Sequence, residues 1–250
     1  MTDVRLSPAP IVATFAAAVR PVAEAVAFYV GGSLAYEDYQ LGVSDFDLVA
    51  MIAAPLDAER QQQLIALHTS LTADDRAAAK LHCAYVPVDE VDDITAEHLT
   101  WAHNELYRRP LTGIARAELH DRGITVYGPP PAATLPTLDR AEIAAAALAE
   151  LSGYWSGAVA KPHVWTQDVY VDLGLVTLAR VEATVDEGRL ITKREAIERL
   201  GRFGVGPALT DEIRRRRRGE TVVLTDDQRV RRAQHARALV ADGIERLLSR

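Results

Sequence analysis

In the first half of the chain, apolar residues come in short runs broken by polar turns. In the second half they come at helical spacing. Residues 27–30 (AFYV) end at a glycine pair and predict a buried strand. Residues 46–52 (FDLVAMI) predict a second, and 81–88 (LHCAYVPV) a third that the acidic run 89–93 stops. Residues 11–20 are Ala-rich and predict a helix that Pro21 stops or restarts, and another helix starts at Asp57. A short strand over 124–127 leads into the most proline-rich stretch of the chain, GPPPAATLPT, which marks a boundary. Everything beyond it reads as helix. Asp139 with Glu142 forms an N-terminal capping pattern, residues 169–188 carry one apolar face and end at Gly188, Thr192 opens a further helix, and the last runs over 225–248. The order is mixed α/β first and all-α second, with domains over 1–134 and 135–250.

Composition narrows the class without naming a function. The 250 residues are 48% hydrophobic and 25% charged, enough for a sizeable core and far from the disordered range. A net charge of −7 argues against a nucleic-acid binder that works through bulk positive charge. The five arginines at 214–218 point in all directions from a helix, and read as a solvated helix end that complements the dipole. A lone cysteine, Cys83, excludes an intramolecular disulfide and reads as a small buried hydrophobe. The apolar stretch 11–30 is interrupted by Arg20, Pro21 and Glu24, so no membrane span is expected, and the first ten residues lack the basic head of a signal peptide. The expectation is a cytoplasmic monomer with no nucleic-acid or membrane partner.

The chemistry lies at the start of the second predicted strand. Asp45 and Asp47 are two positions apart, so on a strand they project to the same side, while Phe46 faces the core. Two parallel carboxylates repel unless a cation sits between them, and Mg²⁺ suits a site of one or two carboxylates completed by waters and phosphate oxygens. Just upstream, Gly31, Gly32 and Ser33 allow a sharp turn and close approach of the backbone to an anion. The N–H groups of a following helix, with the Ser33 hydroxyl, would hold phosphate there. Ser44 caps the turn before the strand or contacts phosphate.

Gly32-Ser33, with Ser44-Asp45-Phe46-Asp47-Leu48 beginning eleven positions after Ser33, resembles the signature of the nucleotidyltransferase superfamily. The chain length, the helical second half and the stretch LVTLARVEATVDEGRLITKREAI (175–197) are similar to aminoglycoside adenylyltransferases acting on streptomycin and spectinomycin. The resemblance implies an α+β protein: a nucleotidyltransferase α/β domain with a mixed sheet, then an all-α helical bundle. It implies ATP as co-substrate with Mg²⁺ on Asp45 and Asp47, and AMP passed to a hydroxyl of a small acceptor with release of pyrophosphate. Arg180 and Lys193 match the family's cations for the triphosphate, alongside Gly32, Ser33 and Ser44.

Two positions depart from the family. Where relatives carry a third carboxylate, the proposed base, this chain has His82, which can accept a proton near neutral pH but ligates magnesium less well. Two neighbouring carboxylates are expected to raise its pKa, and bound magnesium to lower it again. The acidic run of Asp89, Glu90, Asp92 and Asp93 is an alternative source of the missing carboxylate. The family's acceptor residues are also unmatched, and Trp165, Asp168 and Asp172 stand nearby in a shifted register. Two other readings stay open: transfer to a protein acceptor, and a silent nucleotide-binding regulator.

Overall fold

The computed structural model describes residues 3–250. The chain packs as two units, Met1–Leu138 and Asp139–Arg250. The first is built on one six-stranded sheet. Its strands are β1 (Ala25–Val30), β2 (Phe46–Ile52), β3 (Leu81–Pro87), β4 (Glu97–Ala102), β5 (Glu105–Pro110) and β6 (Ile124–Tyr127), in the spatial order β5-β4-β3-β2-β1-β6. Only β2 and β3 run parallel, and all other neighbours are antiparallel, so the sheet is mixed. The parallel pair needs a crossover, which carries helix α3 (Ala58–Asp74), capped by the Asp57 side chain.

Alternation along β2 sorts its residues to the two faces. Phe46, Leu48, Ala50 and Ile52 enter a core that α1 (Pro10–Val22) and α3 cover with Val12, Phe15 and Leu64. Val49 and Met51 face the other way, onto Tyr29, Leu111 and, from α4 (Gly113–Arg122), Leu119. Burying each large side chain contributes about 1.5–3 kcal/mol. Asp47 lies on this second face but at its open edge, and it is exposed. Pro21 falls in the last turn of α1 and the helix runs past it to Val22, because the one hydrogen bond it forfeits is at a helix end.

Strands β4 and β5 have no counterpart among the predicted elements. They form a hairpin pairing Ala102 with Glu105 across His103 and Asn104, both at positive φ (54° and 63°), as a tight two-residue hairpin turn requires. The proline-rich stretch after β6 stays with this unit, because Tyr29 donates from its hydroxyl to the Pro129 carbonyl at 2.7 Å and lies 2.7 Å from Thr134 Oγ1.

The second unit is entirely helical. Helix α5 (Arg140–Glu150) opens with the capping box of Asp139 and Glu142, then passes through a π-helical turn, Leu151–Trp155, into α6 (Ser156–Val159). Helix α7 (Asp168–Glu182) is buried along most of its length and ends through a second π turn at Gly188 in the left-handed conformation. Short α8 (Lys193–Ile197), α9 (Pro207–Arg217) and long α10 (Asp226–Leu248) follow, and the capping boxes at Thr192 and Thr225 are both formed. At Gly243 of α10 an added Cβ would stand 2.5 Å from Leu178, which is how closely α7 and α10 approach. Buried Glu182 is held by Arg202 and Arg246, each at 3.1 Å.

Candidate active site

The edge of the sheet where β2 and β3 begin gathers the residues with chemistry. The parallel register places Asp47 beside His82 on one face, and carried back one residue from the Phe46–Leu81 pair it places Asp45 beside Lys80. Lys80 Nζ lies 3.2 Å from Asp45 Oδ1 and donates to the Val43 carbonyl at 3.3 Å. Sequence reasoning missed this lysine, because nothing short of the strand register shows which residue faces Asp45.

The glycine turn is built onto Asp47. The Gly31 N–H donates to the Asp47 carbonyl at 2.8 Å. Gly32 is at φ +55° and its Cα lies against the Asp47 carboxylate, so that a Cβ would overlap Oδ2 and sit 2.7 Å from the carboxyl carbon. Only glycine satisfies both demands. The Gly31 N–H is thus committed within the protein, and the helix that follows, α2 (Gly32–Ala35), is a single turn. Ser44 is buried, and its Oγ accepts from the Gln40 N–H at 3.0 Å, so it closes the turn before β2 in the manner of a cap.

His82 is half-buried, and its ring meets that of His103 edge to face, with centroids 4.7 Å apart. Burial pulls its pKa down to about 4, and the upward pull of Asp45 is outweighed because His103, Arg109 and Lys80 also act downward. The expected rise is thus reversed, and the imidazole is neutral at ordinary pH. The acidic run 89–93 lies at the other end of β3, where the Val88 N–H bonds the Ile52 carbonyl. That is roughly 20 Å along the strand from His82, so the run cannot supply the missing carboxylate. It is instead anchored by buried Arg116, which donates to the Val91 carbonyl at 2.6 Å. Among the described residues no group of three or more His, Cys, Asp or Glu side chains is arranged to hold a metal ion. Two carboxylates two positions apart at the start of a strand still fit Mg²⁺, which takes its other ligands from water and phosphate.

In the second unit, Arg180 donates from Nε to the Ile191 carbonyl at 3.1 Å, tying α7 to the segment that leads into Lys193 at the start of α8. Trp165 does not offer a stacking face. It is completely buried, and its indole N–H donates to the Ala158 carbonyl at 2.9 Å. Asp172 forms a two-point pair with Arg216 at 2.7 and 2.8 Å, and burial raises its pKa despite that partner. Asp168 lies 2.6 Å from Arg232. The arginine run is absorbed in similar pairs, Arg214 with Glu198, Arg216 with Asp172, and Arg215 and Arg218 with Glu220. A cavity of about 210 Å³ beside Trp165 is lined by Tyr154, Tyr170, Val164 and Lys161 and has no carboxylate in its wall.

No family model and no curated protein sequence matches the chain. Among solved structures it is similar to spectinomycin adenyltransferase AAD(9) from Enterococcus faecialis, determined with ATP and spectinomycin. The TM-score is 0.68 over 90% of this chain and 96% of that one, at 15% sequence identity. The likeness is one of fold. The α+β architecture with a helical C-terminal part that the sequence motifs implied is the architecture of that adenyltransferase.

Proposed function

We propose that the protein is a nucleotidyltransferase that moves AMP from ATP to a hydroxyl of a small acceptor, with an aminoglycoside-like compound as the leading class. The observation that carries this is Asp45 and Asp47 at the start of β2, with the Gly31–Gly32 turn packed on Asp47 and His82 beside Asp47 in the register. The shared fold with a spectinomycin adenyltransferase supports the same reading.

In this mechanism Asp45 and Asp47 would hold magnesium, which supplies charge neutralisation at the transferring phosphoryl group and the leaving pyrophosphate. The turn at Gly32 and Ser33 admits the phosphates. His82, neutral at working pH, accepts the proton of the attacking hydroxyl. A bond then forms from that oxygen to the α-phosphorus as the bond to the β-phosphate oxygen breaks, with the two oxygens in line. Arg180 and Lys193 are proposed as cations for the β- and γ-phosphates on the strength of the sequence resemblance. Asp168 and Asp172, each beside an arginine, support a polycationic acceptor less well.

The test is incubation with ATP, Mg²⁺ and a panel beginning with spectinomycin and streptomycin, read by mass for an added AMP and by pyrophosphate release. Asp47→Asn should abolish both signals while the protein stays folded, as judged by its melting temperature. A mutant that melts well below wild type would make the pair structural. One alternative has its own observation, the histidine at the position of the base: a protein that binds nucleotide without transfer. Tight Mg²⁺-dependent ATP binding with no adduct on any acceptor would favour it.

A further inference from the structure

Lys80 has no place in the reaction as described, yet it touches the metal-binding pair. It ends the 3₁₀ turn Arg76–Lys80 and immediately precedes β3, so the parallel register fixes its backbone beside Asp45. Its ammonium is 3.2 Å from Asp45 Oδ1 and 3.3 Å from the Val43 carbonyl. The two side chains are 39% and 38% exposed. Ion pairs this open are weak and exchangeable, and a lysine stem is long enough to swing to a new anion. A purely structural cation would be expected deeper in the fold, as Arg116 is, fully buried with two backbone carbonyls bound.

We propose that Lys80 is a displaceable internal counter-ion of the Asp45–Asp47 pair, which keeps free divalent cations off Asp45 until a triphosphate arrives to take over its ammonium. This rests on the reading of the pair as a magnesium site. Without nucleotide, the lysine offsets the repulsion between the carboxylates and opposes a second cation at Asp45. With a triphosphate present, the phosphate oxygens become the better partner for the ammonium, and Asp45 is released to the metal that comes with them. Metal and nucleotide binding are thereby coupled, and the coupling is reciprocal. Lys80 acts through Asp45 and is a positioning residue.

The test uses the full chain and Mn²⁺ as a spectroscopic probe, titrated by electron paramagnetic resonance without nucleotide. Lys80→Met should tighten Mn²⁺ by about fivefold, the size an exposed ion pair supports, and Lys80→Arg should behave as wild type. In parallel, Lys80→Met should weaken α,β-methylene-ATP by several fold in calorimetry. Far-UV circular dichroism and melting check that each variant folds, and Lys80→Gln repeats the measurement if the methionine variant does not. If Mn²⁺ binds through Asp47, as judged by its loss in Asp47→Asn, but Lys80→Met and Lys80→Gln bind it no more tightly than wild type, the counter-ion role is overturned and the metal site survives. If wild type and Asp47→Asn bind Mn²⁺ alike, the metal-site reading fails and the counter-ion role falls with it.

Discussion

At the scale of single residues, His82 decides most about the proposed chemistry. Its neighbours on the strand register suggest a raised pKa, yet burial sets it near 4. The sign has a direct consequence for rate. A general base works when deprotonated, so turnover should be flat above about pH 5 as far as this group is concerned, and should fall as pH drops through about 4. His82→Ala should lower turnover by roughly 10²–10⁴-fold, the usual contribution of a general base, while nucleotide affinity stays near wild type. A pH–rate profile on the wild type and the variant checks both. An acidic limb centred between 6 and 7 would place the base at another residue.

At the scale of elements, the sequence was legible wherever a local signal sufficed. β2 lies over the predicted seven residues, and the caps at Asp139 and Thr192 both form, because apolar runs and capping chemistry are encoded within a few residues. The β4–β5 hairpin escaped because its strands alternate weakly: β5 has no fully buried residue, and the His103–Asn104 turn lacks the glycine that usually announces such a turn. The surroundings of Asp168 and Asp172 were not legible for a different reason. Whether an aspartate is open to ligand or paired depends on which helix packs opposite it, and Arg216 of α9 reaches Asp172 of α7 across 44 positions of sequence. Breaking that pair should cost stability. Arg216→Met leaves a largely buried carboxylate without its main partner and is expected to destabilise the protein by about 3 kcal/mol, as removal of one member of a buried pair does. Denaturant titration measures it, and a loss under 0.5 kcal/mol would show that solvent replaces the arginine.

At the scale of the whole molecule, the buried histidines set its tolerance of acid. His68 of α3 lies in the first-unit core, 2.7 Å from the Tyr85 hydroxyl and stacked on Trp101 with centroids 4.3 Å apart. Burial lowers its pKa from 6.5 to about 3. The unfolded chain therefore takes up a proton near pH 6.5 that the folded chain refuses until about 3. The unfolded state binds more protons in that window, so stability is fully present above pH 6.5 and falls as pH drops, by at most about 1.4 kcal/mol per pH unit for this group, then levels off below 3. His82 and His98 are shifted in the same direction by burial and steepen the decline. Urea midpoints between pH 4 and 7 should show it, and His68→Gln should flatten the slope by close to one proton. An unchanged slope would mean that the core admits water and a charged imidazole.

The overlap between Gly32 and the Asp47 carboxylate also constrains how this protein can change over generations. Alanine at 32 meets both a left-handed backbone and an occupied space, so that step is closed while the carboxylate stands. Shortening position 47 to alanine removes the overlap with the carboxylate and leaves a tight 3.0 Å approach to its Cβ besides the backbone cost of about 1–2 kcal/mol. Lineages that abandon the chemistry should accordingly lose the aspartate first and the glycine afterwards. A two-site library over positions 32 and 47, selected only for folding, should recover non-glycine residues at 32 chiefly on backgrounds with a small residue at 47.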